Sequence, residues 1–326
     1  MKGKLSALAT LWLPQLAAAS CGSAFCVVNT GSDAIGVWDR PGTRIDLRYE
    51  YIVQDQLRSG TSKVTPQGEP GEHDELKTRN QNMLLGIDHN FDSRWGLSVY
   101  VPYVRRDHTH QDNHLEEEVH EDGEVHTHVH SELESWDIRG IGDIRVVGRY
   151  QFAPETGTSG AWGLRAGLKL PTGRTDERNA EGVPAERTLQ PGTGTTDGIL
   201  GAYYRGPAFK SAEWYVSASA QAALDSHQGF KPGNQFGADL GLNLPLSGVL
   251  TGVVQLNMLV KGRDEGAAAE PEDSGGTYLF LSPGLSWAVS RNVALYAFVQ
   301  IPLYQRVNGV QLSYNTGGTI GASIFF

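Results

Sequence analysis

From about residue 42 onward the chain alternates apolar and polar positions with a period of two. In 43–54, Ile45, Leu47, Tyr49, Tyr51 and Val53 fall on one face, and Asp46, Arg48 and Glu50 on the other. In 161–171, Trp162, Leu164, Ala166, Leu168 and Leu170 oppose Arg165 and Lys169. In 248–261, Val254, Leu256, Met258 and Val260 oppose Gln255, Asn257 and Lys261. Alternate side chains of a strand point to opposite faces, so this period means strand. The pattern predicts twelve of them, at 43–54, 78–91, 94–104, 139–152, 161–171, 195–205, 212–223, 235–245, 248–261, 277–289, 292–303 and 316–326.

The connections alternate long and short. A soluble sandwich has no reason to gather its long loops at one end, whereas a transmembrane barrel keeps tight periplasmic turns below and long loops outside. Strands of about ten residues cross a bilayer when tilted. In hydrocarbon every backbone N–H and C=O needs a partner, so such a sheet has to close on itself. The expected fold is therefore all-β: an antiparallel transmembrane β-barrel of about twelve strands, with both termini on the periplasmic side. Aromatic residues gather beside the short turns (Phe91, Trp95, Phe152, Trp162, Tyr203, Tyr204, Trp214 and Trp287), as in a membrane-interface girdle. The chain ends in alternation at Ile320, Ala322, Ile324 and Phe326. An aromatic residue closing such a strand is the signal expected by the barrel-assembly machinery.

Composition sharpens this picture. Charged residues are 20% of the chain and hydrophobic ones 39%, and only the first twenty residues hold a long apolar run, which excludes a helical membrane bundle. The net charge of −10 argues against a nucleic-acid partner. Residues 1–20 combine Lys2 and Lys4, an apolar run from Leu5 to Leu16, and Ala17-Ala18-Ala19, the anatomy of a secretory signal peptide. Residues 21–41 are expected as a periplasmic segment and 42–326 as the barrel. Cys21 and Cys26 are the only cysteines. They form a local disulfide in an oxidising compartment, or Cys21 carries a lipid.

Two stretches carry a family resemblance. One is GIGDIRVVGRYQF, from Gly140 to Phe152. The other runs from GLRAGLKLPTGRTD, starting at Gly163, to LQPGTGTTDGILGAYY, ending at Tyr204. Together they resemble the outer-membrane proteins named for a meta-pathway of phenol degradation. The resemblance implies an outer-membrane, channel-like barrel for small organic compounds and brings no catalytic residues.

Candidate chemistry lies in two places. The segment 105–138, expected as the second outside loop, holds seven of the ten histidines: His108, His110, His114, His120, His126, His128 and His130. Carboxylates are interleaved with them, so the segment is a candidate surface site for Zn²⁺ or Cu²⁺, with the barrel as anchor. The polar strand faces supply the second: Asp46, Arg48, Glu50, Asp88, Arg145, Arg149, Arg165 and Lys169 are expected to line a water-filled lumen. Arg145, Arg149, Arg165 and Lys169 suggest a basic ladder favouring anions. His89 and His227 form no evident triad, and the glycines of GIGD and PGTGTTDG precede no helix that could bind phosphate. The expected role is passive diffusion of small solutes, with no enzyme activity and no required cofactor.

Overall fold

The computed structural model describes residues 41–71, 73–119, 125–152, 160–209 and 211–326. The expected signal peptide, most of the periplasmic segment, both cysteines and His120 lie outside the described residues. Every regular element among the described residues is a strand. In chain order these are β1 (Gly42–Ser59), β2 (Ser62–Lys63), β3 (His73–Asn90), β4 (Trp95–Val119) and β5 (Val125–Ile141). Then follow β6 (Arg145–Gln151), β7 (Ala161–Lys169), β8 (Asp197–Pro207), β9 (Glu213–Ala223) and β10 (Gln235–Pro245). The chain finishes with β11 (Leu250–Lys261), β12 (Gly276–Ala288), β13 (Val293–Val307) and β14 (Val310–Phe325).

Neighbouring strands pair antiparallel in order, and the sheet closes where β14 pairs β1, from Arg44 opposite Phe325 to Ser59 opposite Val310. Twelve strands make the wall, because β5 and β6 share one place beside β4 and β2 is a two-residue spur on β1. The alternation sorts the side chains. Leu47, Leu164, Leu200, Leu240, Leu256, Leu285, Ile301 and Ile320 stand exposed on the outer surface, an apolar belt far larger than a water-soluble monomer presents. Asp46, Arg48, Glu50, Gln255, Asn257 and Ser282 are buried on the inner side of the same strands. Rings flank the short turns: Phe152 stacks on Trp162 at 3.6 Å, and Trp95 packs on Tyr150 at 4.7 Å.

The structure corrects three boundaries. The segment 105–138 is not a loop: β4 and β5 run on past the wall as a hairpin, paired from Tyr103 opposite Ile141 to Val119 opposite Val125. The alternation of His-x-His, with polar residues tolerated on both faces outside lipid, continues the ladder. The strand predicted at 139–152 is interrupted between Ile141 and Arg145. The outside connection predicted at 304–315 is a two-residue turn, Asn308-Gly309, between β13 and β14, with Gly309 at φ 53°.

The aromatics inside the barrel lie flat because glycines on neighbouring strands make room. A Cβ on Gly321 would meet the Tyr296 ring at 2.3 Å, and one on Gly284 would meet Phe298 at 2.2 Å. Tyr296 and Phe298 join Tyr215 and Val253 in one buried cluster, and Tyr278, Phe280, Tyr314 and Ile52 belong to a second. One side of the interior, at β12, β13 and β14, is thus filled by rings.

Candidate functional site

The opposite side of the interior is open. A cavity of about 290 Å³ is lined by Asp46, Arg48 and Glu50 of β1, Arg145 of β6, Arg165 and Lys169 of β7, Asp239 of β10 and Lys261 of β11. Apolar groups share its wall, among them Leu84, Val147, Ile199 and Phe230. Of the eight residues expected along the lumen, six line this cavity. Asp88 and Arg149 lie on the inner face nearer the periplasmic turns: Arg44 donates to Asp88 at 2.8 Å, and Arg149 donates to Asn90.

A basic ladder does not form. Six cationic and five anionic residues line the cavity, and they interleave. Lys169 donates to Asp143 at 2.9 Å and lies 3.1 Å from Asp197. Arg48 pairs with Glu50 at 2.9 Å, and Arg165 lies over the Tyr203 ring. The sequence places the cations correctly in register (Arg145 opposite Lys169, Arg149 opposite Arg165), but carboxylates from other elements balance them. Asp143 and Asp197 are the partners that a strand-by-strand reading cannot assign.

The outer end of the cavity is covered by the connection between β7 and β8, residues 170–196, which folds inward. Leu189 and Ala185 bury against Leu57, Trp136, Ile138 and Leu312, which come from three different strands. Asp143 fastens the base of this loop. Its carboxylate accepts the backbone N–H groups of Gly173 at 3.0 Å and Thr193 at 2.9 Å, besides the Lys169 ammonium. Arg106, fully buried on β4, donates to the carbonyls of Thr188 and Gln190 at 3.2 Å. Gly173 and Gly192 meet backbone to backbone, so that a Cβ on Gly192 would lie 2.5 Å from the Gly173 carbonyl oxygen. The motifs at 140–143, 171–176 and 189–197 therefore build one structure, an inward loop and its footing. Gly142, Gly173 and Gly192 serve this close approach.

The five histidines of the segment whose side chains are described divide into two groups. His114, His128 and His130 are exposed, with His128 and His130 at 3.7 and 3.5 Å from Glu116. His120 lies outside the described residues, and the side chain of His126 is likewise not described. His108 and His110 turn inward and are buried beside Trp136. A bulge on β3 between Glu75 and Lys77 turns His73 toward them, and its ring stacks on His110 at 4.6 Å. Glu186 of the inward loop accepts from His73 Nε2 at 3.1 Å. Burial holds His108 down at about 4, and burial followed by the neighbouring His73 lowers His110. The sequence reading missed His73 and Glu186, since neither lies near the histidine tract.

A family model described as "Putative MetA-pathway of phenol degradation" matches residues 86–315. Among solved structures, an outer membrane channel from Pseudomonas putida F1 is similar with a TM-score of 0.62 at 14% identity, over 89% of this chain and 97% of that one. Looser likenesses include the NanC porin (TM-score 0.44, 11% identity, 86% and 98% covered) and the CymD monoaromatic hydrocarbon channel (0.41, 9%, 88% and 89%). No curated protein sequence matches. The fold is that of an outer-membrane barrel, and the apolar belt and aromatic girdle place the chain in that membrane.

Proposed function

The chain belongs to the MetA-pathway family of phenol degradation, and from that premise we propose that it is a passive outer-membrane channel for small organic solutes. The observation that carries this reading is the cavity itself. It lies inside a closed barrel, has about 290 Å³ of free volume, and joins charged side chains to an apolar wall. That volume sits at the lower end of small-molecule pockets, and the mixed lining suits solutes with one polar end and one apolar body. Interleaved charges of both signs give the passage little net field, so ionic selectivity is weak and size decides passage. No group in the lining has to react; diffusion needs only binding weak enough to release.

Liposome swelling with a panel of uncharged solutes tests the reading. Swelling should be fastest for monocyclic aromatic alcohols and short sugars and should fall steeply for disaccharides. Rates equal to those of empty liposomes across the panel would remove it.

A further inference from the structure

We infer that His73, His110 and Glu186 form a binding site for a divalent transition-metal ion of the zinc class, at the junction of the outer hairpin with the inward loop. The donor atoms of these three residues lie within 4.8 Å of one another, although they come from β3, β4 and the 170–196 loop. His73 Nε2 and Glu186 Oε1 are 3.1 Å apart. Two ligands of a tetrahedral ion at about 2.0–2.1 Å stand about 3.3 Å from each other, so this pair already has the spacing of a shared ion.

The surroundings of His110 point the same way. Its Nε2 hydrogen-bonds the Glu134 carboxylate at 3.0 Å, while its Nδ1 is buried without a hydrogen-bond partner. A carboxylate on one ring nitrogen fixes the tautomer that presents a lone pair on the other, and this is the usual support of a metal-bound histidine. A buried nitrogen with nothing to bond is destabilising, and an ion would relieve that.

Two imidazoles and a carboxylate suit Zn²⁺, and also Cu²⁺ and Ni²⁺, better than Ca²⁺ or Mg²⁺. The site is distinct from the exposed histidines around Glu116. It uses only one residue expected from the tract, His110. Its ligands span the hairpin and the loop that covers the cavity, so a bound ion would tie the cover to the wall.

Zinc chloride titration of the detergent-purified full chain, followed by calorimetry, tests this. A variant carrying Gln at His114, His120, His126, His128 and His130 should keep one tight equivalent. His73→Gln with Glu186→Gln should weaken that equivalent at least ~100-fold, and Glu134→Gln, which acts only through His110, by ~10–100-fold. X-ray absorption on the zinc-loaded tip variant reads the ligands without touching them, and should show two imidazoles with carboxylate oxygen. Loss of all binding in the tip variant, unchanged affinity in the double variant, or a spectrum without an imidazole pair would each overturn the assignment.

Discussion

Leu256→Arg, at mid-strand on the outer face of β11, should lower the unfolding free energy in lipid vesicles by about 2–4 kcal/mol. Leu256 stands exposed on that face, while its neighbours Gln255 and Asn257 are buried inside. Hydrocarbon cannot solvate a guanidinium, so the charge has to snorkel or draw water inward. Ser219→Arg supplies the control: Ser219 lines the cavity, where the same charge meets water and carboxylates. It should cost under 1 kcal/mol and slow solute passage instead. Urea or guanidinium titration followed by tryptophan fluorescence separates the two. Equal costs for both variants would mean that the apolar face does not meet lipid.

The second large effect concerns the cover of the cavity. Asp143→Ala should release the inward loop. The carboxylate accepts two backbone N–H groups and the Lys169 ammonium, and it is almost fully buried. Lys169 keeps Asp197 at 3.1 Å, so the change does not strand a buried cation. The cost is set by the lost charge-assisted hydrogen bonds and should be about 3 kcal/mol. That is enough to populate the detached loop within an intact barrel. Trypsin should then cut at Arg174, Arg178 or Arg187 faster than in the wild type, and solute entry should rise severalfold. A variant that resists trypsin and swells liposomes at the wild-type rate would show that the loop does not control the passage.

The barrel was legible because lipid and water impose the strictest period in protein sequence: each strand declares its two faces one residue at a time. Ile45 to Val53 and Val254 to Val260 show it without help from any other part of the chain. Boundaries were less legible where that constraint ends. Beyond the membrane both faces of β4 and β5 are polar, so the hairpin to Val119 carries no amphipathic signal. The turn at Asn308-Gly309, flanked by Val307 and Val310, did carry one: Asn-Gly between apolar residues is a strong hairpin sequence. The interior was half legible. Alternation puts Lys169 and Arg145 inside, but which carboxylate meets them depends on Asp143, brought in by the connection between β5 and β6, and on the register that sets Asp197 of β8 opposite Lys169. The grouping of His73 with His110 and Glu186 needs a bulge, a strand pairing and an inward loop at once, and no local pattern records that conjunction.

Single-channel recording of the purified wild type in planar bilayers tests the central account most directly. Small, steady openings are expected, and under a tenfold potassium chloride gradient the reversal potential should lie close to zero, as five anionic and six cationic side chains along one cavity require. A silent bilayer, or a reversal potential near the limit for anions alone, would contradict it.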